Sequence, residues 1–382
     1  MKPLAHWIRA RTKEIAFLIG AANMTTSALG AQWRLDDIGA ALLPIDTSIA
    51  TSINSVGQVT GRVGNNTFIW QAGSGHFLPL GSYYSAYGQH QAINDAGYVV
   101  GSVTTFVPGG TARAVLWPPG AEPEQVGTLV NPANWGVPVY SMGNGINNAG
   151  DVVGAAFYTD GGTHAFLKHG GHMTDLKSLP GLGDSAAFDI NAVGWVVGQS
   201  TGLSGTNATA TLWRDGQIVD LGGQCPIQSC WLTSAAAIND SGQVVGEGSL
   251  NNGTTLAYLW RDGVMQNLGT LGGVQASANG INSKGWVVGT SEVQLGDPWH
   301  AFLWNGSEMI DLSKLPGVAE TGWILQSASD INDAGQIVGR GIFNGRIRAF
   351  ALTPIPEPAT YLLILLGFAT VVAVSRKRLK NS

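Results

Sequence analysis

A nine-residue phrase, Ile-Asn-x-x-Gly-x-Val-Val-Gly, recurs seven times in this chain, opening at Ile53, Ile93, Ile146, Ile190, Ile238, Ile281 and Ile331. Self-similarity on this scale decides architecture before any residue has a role, because each copy must be one supersecondary unit packed on its neighbours. The motif asparagines lie at 54, 94, 147, 191, 239, 282 and 332, in steps of 40, 53, 44, 48, 43 and 50 residues. Steps so long and uneven do not suit a solenoid coil. They suit four-stranded propeller blades joined by loops of variable length.

Every copy has the same companions. A short apolar run ending in an aromatic residue or a turn follows, as in Ala114-Val115-Leu116-Trp117, Thr211-Leu212-Trp213 and Phe302-Leu303-Trp304. After a glycine turn comes a further run such as Ile218-Val219-Asp220-Leu221. Asn and Asp suit the capping of a tight turn, and Gly suits the positive φ that closes a hairpin with a bulge. Small residues ahead of the motif, such as Ser234-Ala235-Ala236-Ala237, fit an inner strand crowded at the axis. The Val-Val pairs and the aromatics fit the packing between blades.

The two ends complement each other. Trp33 to Gly39 matches the fourth-strand runs of later units, whereas the last unit stops after Leu352 with no fourth strand of its own. Pairing these segments closes the ring and removes both exposed sheet edges. The expected fold is therefore all-β: a seven-bladed propeller of four-stranded antiparallel blades over residues 32–354, closed by its N-terminal strand. By parity, the long connections gather on the face opposite the tight motif turns, where rigid rings present variable binding loops.

Residues 32–354 carry 12 Lys and Arg against 23 Asp and Glu, a formal balance of −11. An acidic surface repels phosphate backbones, so nucleic acid is not an expected partner. Basic residues collect at the ends. Residues 1–31 read as a secretory signal peptide: a basic start, the apolar run Ile15 to Ala22, then small residues up to Ala31. Export makes the pair Cys225 and Cys230 a local disulfide.

Residues 355–382 read as a tail with a transmembrane helix. Pro356-Glu357-Pro358 is followed by an apolar stretch from Tyr361 to Val374 and the basic cluster Arg376-Lys377-Arg378, which stays on the cytoplasmic side of a span. This order of parts resembles the PEP-CTERM sorting signal of Gram-negative bacteria. The resemblance implies recognition of Pro-Glu-Pro by an exosortase-type membrane protease, removal of the helix, and a host that makes exopolysaccharide. The precursor would be tethered on the periplasmic side of the inner membrane and, once processed, sit at the cell surface or outside the cell. The repeats also resemble HAF-type extracellular repeats, on His164-Ala165-Phe166 and His300-Ala301-Phe302; other units depart at the His, with Arg348-Ala349-Phe350 and Leu256-Ala257-Tyr258. That resemblance covers most of residues 33–353 and implies an exported repeat protein with no assigned activity.

Motifs for catalysis or cofactors do not stand out. His164, His169 and His172 lie close together, but the last two flank Gly170-Gly171 in a turn where solvated His is ordinary. The chain has no calcium loop, zinc-protease helix, nucleophile elbow or phosphate loop, so neither metal nor cofactor is expected. The informative residues are aromatics in the long connections, with Trp135, Trp231, Trp299 and Trp323 as candidate glycan-binding side chains. Two classes of function follow. One is a non-catalytic binding or structural protein in contact with exopolysaccharide or other envelope components. The alternative is a secreted lyase or glycoside hydrolase drawing its acid and base from Asp160, Asp184, Glu292, Asp297 or Glu320, which would have to converge in pairs.

Overall fold

The structure, a computed structural model, describes residues 32–42, 47–81, 85–104, 111–130, 140–202, 206–227, 230–251, 253–294 and 298–355. The expected signal peptide and the tail from Pro356 through Glu357, Pro358, Arg376, Lys377 and Arg378 lie outside them, as does Trp135. The described residues form seven four-stranded antiparallel sheets, of which blades 2 to 6 span residues 85–125, 141–175, 184–220, 230–267 and 276–311 in turn. Blade 1 runs outward from the axis through Ser48–Ile53, Val59–Val63, Asn66–Gln71 and Ser74–Phe77. Blade 7 is composite: Ile324–Ile331, Ile337–Phe343 and Arg346–Ile355 are completed by Gln32–Asp37 from the start of the chain. The closing register runs from Gln32 opposite Ile355 to Asp37 opposite Phe350. The spare strand and the incomplete last unit thus pair as their sequences require, and a short helix, Ile38–Leu42, leads on towards blade 1.

Among the described residues the blades share no common core. Buried apolar side chains instead form seven clusters, each shared by two neighbouring blades. This explains the doubled valine of the motif. Successive side chains of a strand point to opposite faces, and here both faces are covered. Val99 packs towards blade 1 and Val100 towards blade 3, and the alternation repeats through Val152 and Val153, Val196 and Val197, Val244 and Val245, and Val287 and Val288. The tryptophans that end third strands are buried at the same interfaces. Trp117 Nε1 donates there to the Pro79 carbonyl at 2.8 Å and Trp260 Nε1 to Gln224 Oε1 at 2.7 Å, whereas Trp70 Nε1 is buried without a partner among the described residues.

The two motif glycines answer to different constraints. The first, Gly57 and its equivalents, has φ between 74° and 85° and closes the turn, the left-handed conformation that favours glycine. The expected bulge is there, the Gly57 N–H donating to the Asn54 carbonyl and the Asn54 N–H to that of Gln58, and a second bulge falls two residues before the motif Ile, where the inner strand slips register at Thr51, Asn144, Phe188, Ala236, Asn279 and Ser329. The slip pushes a carbonyl against the second strand. A Cβ on Gly154 would sit 1.9 Å from the Met142 oxygen, and one on Gly198 would sit 2.0 Å from that of Ala186. The final Gly of Val-Val-Gly is therefore a close-approach residue opposite the bulge.

The motif asparagines form a closed ring around the axis. Each Nδ2 donates to the backbone carbonyl of the next asparagine, from Asn54 to Asn94, Asn147, Asn191, Asn239, Asn282 and Asn332, and Asn332 donates back to Asn54, all at 3.0–3.2 Å. The Oδ1 atom accepts the N–H four residues on, as from Gln58, Trp195 and Gln336, holding its own turn. One side chain thus fixes a hairpin and ties it to the next blade. Two carboxylates add to this stitching: Asp330 Oδ2 accepts the Ile53 N–H at 2.9 Å, and Asp189 Oδ2 accepts that of Ile238 at 2.9 Å.

Candidate glycan-binding cleft

On the loop face of blades 3, 6 and 7 a side chain at the start of the third strand meets an Asp at the end of the fourth. His164 Nδ1 is 3.0 Å from Asp175, and His300 Nδ1 is 2.9 Å from Asp311. Arg348 does the same work in blade 7, where its Nη1 donates to Asp37 at 2.7 Å. The register explains the pattern, since Phe166, Phe302 and Phe350 stand opposite those three aspartates, two residues after the basic side chain. Burial alone would raise the Asp311 carboxyl, but the hydrogen bond and charge of His300, with the Ser313 N–H and Lys314, hold it below its ordinary value. His164 also reaches Asp160 through Nε2 at 3.0 Å and stacks on Tyr158 at 4.3 Å.

Blade 4 has the Asp but not its basic partner. Thr209 occupies the basic position, and Asp220 is left exposed, taking the Gly222 N–H on Oδ1 at 2.7 Å. The space goes to Trp231, whose Nε1 donates to Thr209 Oγ1 at 2.5 Å. Its indole lies over Gly222 and Gly223; a Cβ at Gly222 would come within 2.7 Å of the ring, so only glycine leaves room for it. The side chain stays 44% exposed although fixed. Beside it opens a cleft of about 560 Å³ between the connections flanking blade 4, with an apolar wall of Leu179, Pro180 and Leu182 and a polar wall of Asn207, Thr209 and Asp220. That volume lies within the range of small-ligand sites. The bonded pair Cys225–Cys230, with Cα atoms 5.8 Å apart, closes the loop leading into Trp231.

The other candidates fall elsewhere. Trp299 is half-buried. Trp323 is a correction to the expectation from sequence: only 7% exposed, it stacks on Phe343 at 5.2 Å within the core between blades 6 and 7, so it has no face for a ligand. Asp160 and Asp184 approach each other around Gly162, but they accept the N–H groups of Gly162 and Thr163. Glu292 is buried and holds the Val274 N–H, Glu320 holds that of Gly317, and Asp297 lies outside the described residues. His169 meets Asp151 at 2.6 Å, away from the His164 pair, and His172 is exposed in the adjoining strand. Leu179, Leu182 and Asn207 had no sequence signal; only packing brings them to Trp231.

Residues 354–378 match the PEP-CTERM protein-sorting motif, which implies export and processing of a membrane-anchored precursor by an exosortase. Among the described residues no helix is long and apolar enough to cross a membrane. No curated protein matches the chain in sequence. Similar solved structures include the β-propeller domain of the trilobed protease from Pyrococcus furiosus, at 10% identity and TM-score 0.45 over 72% of this chain and 84% of that one. TolB from Acinetobacter baumannii is similar at 14% identity and TM-score 0.40, over 68% of this chain and 64% of its own. Trypanosoma rangeli sialidase follows at 12% and 0.38, over 78% of this chain and 58% of its own. At such identities and fits these likenesses bear on neither ligand nor reaction.

Proposed function

We propose that this chain is an exported, non-catalytic binding protein of the cell surface or extracellular matrix, built from HAF-type repeats, whose loop face holds a neutral or cationic glycan such as exopolysaccharide. The observation that carries the reading is the indole of Trp231, fixed by Thr209 and a glycine shelf yet exposed beside a cleft with one apolar and one polar wall. A rigid aromatic face stacks on a sugar ring while neighbouring amide and carboxylate groups take its hydroxyls, at small entropic cost because the side chain is already ordered. The balance of −11 over residues 32–354 disfavours strongly anionic polymers. Glycosidase chemistry needs two carboxyl groups at a set separation, and the residues lining this cleft supply one, Asp220.

Affinity electrophoresis of the exported protein through gels containing neutral or anionic polysaccharides tests this. The parent should be retarded by a neutral polymer with a dissociation constant on the order of micromolar or weaker, and Trp231→Ala should run unretarded while keeping its unfolding midpoint. Equal retardation of parent and variant would sink the assignment of this cleft.

A further inference from the structure

Seven copies of one blade show which side chains the fold itself demands. In four of them the fourth strand ends in an Asp at the same register position: Asp37, Asp175, Asp220 and Asp311. The other three carry Phe77, Gln125 and Asn267 there, so the blade does not need a carboxylate at this place. Where the Asp is present its partner is basic, Arg348, His164 or His300, except in blade 4. Asp220 faces Thr209, whose hydroxyl already accepts the Trp231 indole N–H. One carboxylate oxygen takes the Gly222 N–H at 2.7 Å; the other has no partner among the described residues, which include every Lys and Arg of residues 32–354. Lys177, on the connection that carries Leu179, does not line the cleft. Blade 4 thus keeps the acid of the pair, drops the base, and opens a cleft where the base would stand.

We infer that the ligand supplies the missing cation: the Trp231 cleft prefers sugar units bearing a free amine, such as 2-amino-2-deoxyhexose residues, over their hydroxyl or N-acetyl counterparts. The inference rests on the glycan reading of this cleft and narrows it. Gly222 ties the two recognising groups together, because Asp220 takes its N–H while the indole lies over it. Carboxylate and aromatic face therefore flank a single residue, within the span of one sugar ring. An ammonium group placed there makes a charge-assisted bond to Asp220 and is attracted by the indole face as well. Acetylation removes the charge and with it both attractions. Asp220 is exposed, so water and salt weaken the pairing, and the preference is modest: about three- to tenfold.

Isothermal titration of the exported protein with cellotetraose, the glucosamine tetramer and the N-acetylglucosamine tetramer tests this, at about pH 6 where a sugar amine carries its proton. The glucosamine tetramer should bind about three- to tenfold more tightly than either of the others. Raising salt from about 0.05 M to about 1 M should bring the three affinities together, since an exposed pair is screened. Asp220→Asn keeps an oxygen for the Gly222 N–H, so it should hold the parent's unfolding midpoint while the preference falls to about unity. Trp231→Ala should weaken all three tetramers. Equal affinities in the parent, or a preference that survives in Asp220→Asn or at about 1 M salt, would overturn the amine preference and leave the glycan reading standing. No heat from any tetramer, or a Trp231→Ala variant that binds as the parent does, would overturn the glycan reading and this inference with it.

Discussion

Replacing Asn191 in the axial ring by Ala and by Asp should produce two distinguishable losses of stability. Asn191 is buried, accepts the Trp195 N–H on Oδ1 at 2.9 Å and donates Nδ2 to the Asn239 carbonyl at 3.2 Å. Ala strands the Trp195 N–H, at about 1–3 kcal/mol for an unsatisfied buried donor, and loses a second bond worth about 0.5–1.5 kcal/mol. The Asn239 carbonyl keeps the Gly242 N–H, so its own loss is limited. The sum is about 2–4 kcal/mol. Asp keeps the acceptor for Trp195 but turns a second oxygen towards the Asn239 carbonyl. Protonation relieves that clash by restoring a donor, so the folded-state pKa of the new carboxyl rises above its unfolded value. Its contribution to stability is then present below the unfolded pKa and lost as pH rises through the folded one. Urea unfolding of the exported protein, followed by tryptophan fluorescence at pH 4 and pH 7, reads both effects. Ala should cost the same at either pH, whereas Asp should cost markedly more at pH 7. An Ala variant within about 0.5 kcal/mol of the parent, or an Asp variant with no dependence on pH, would refute the ring as a source of stability.

Three other outcomes follow from the same geometry. Burial raises the Asp189 carboxyl to about 7, only partly offset by the N–H groups of Ile238 and Ile190, and the charges of Asp330 and Asp240 add to the rise. Its folded pKa exceeds the unfolded one, so stability should decline from about pH 4 to about pH 7; Asp189→Asn should flatten that decline in the same urea series, and an unchanged slope would contradict it. Gly154→Ala places a methyl on the Met142 carbonyl, backbone against backbone, and should lower stability by about 3 kcal/mol or more, seen as a lost or strongly lowered unfolding midpoint. Intact mass of the protein from its host should lack the basic residues from Arg376 onward, and Glu357→Ala should retain them in the membrane fraction; a parent mass that includes Arg376 would rule out processing at Pro356-Glu357-Pro358.

What the sequence made legible is what depends on local chemistry. Turn glycines, doubled valines and the terminal half-blades each carry their signature within a few residues, and they were enough for the seven blades and the closing strand. The partner of each ring asparagine is 40 to 53 residues away, or 278 across the closure, so the same Asn that reads as a turn cap gave no sign of its second bond. The last motif Gly needed the bulge of a neighbouring strand to explain it. Among loop tryptophans, Trp231 and Trp323 look alike in sequence. One meets two glycines and stays at the surface; the other meets Phe343 and is buried. That difference is set by packing between segments distant in the chain, as is the meeting of Leu179 and Leu182 with Asn207.

The central claim is that a glycan sits on Trp231. In a ¹H–¹⁵N correlation spectrum of the labelled protein, each indole Nε1–H gives its own signal. Titration with neutral oligosaccharides cut from the host's exopolysaccharide should shift the Trp231 signal in a saturable way and leave those of the buried Trp117, Trp260 and Trp323 in place. A Trp231 signal unmoved at saturating oligosaccharide, while the protein still binds the intact polymer, would place the binding surface elsewhere and contradict the account.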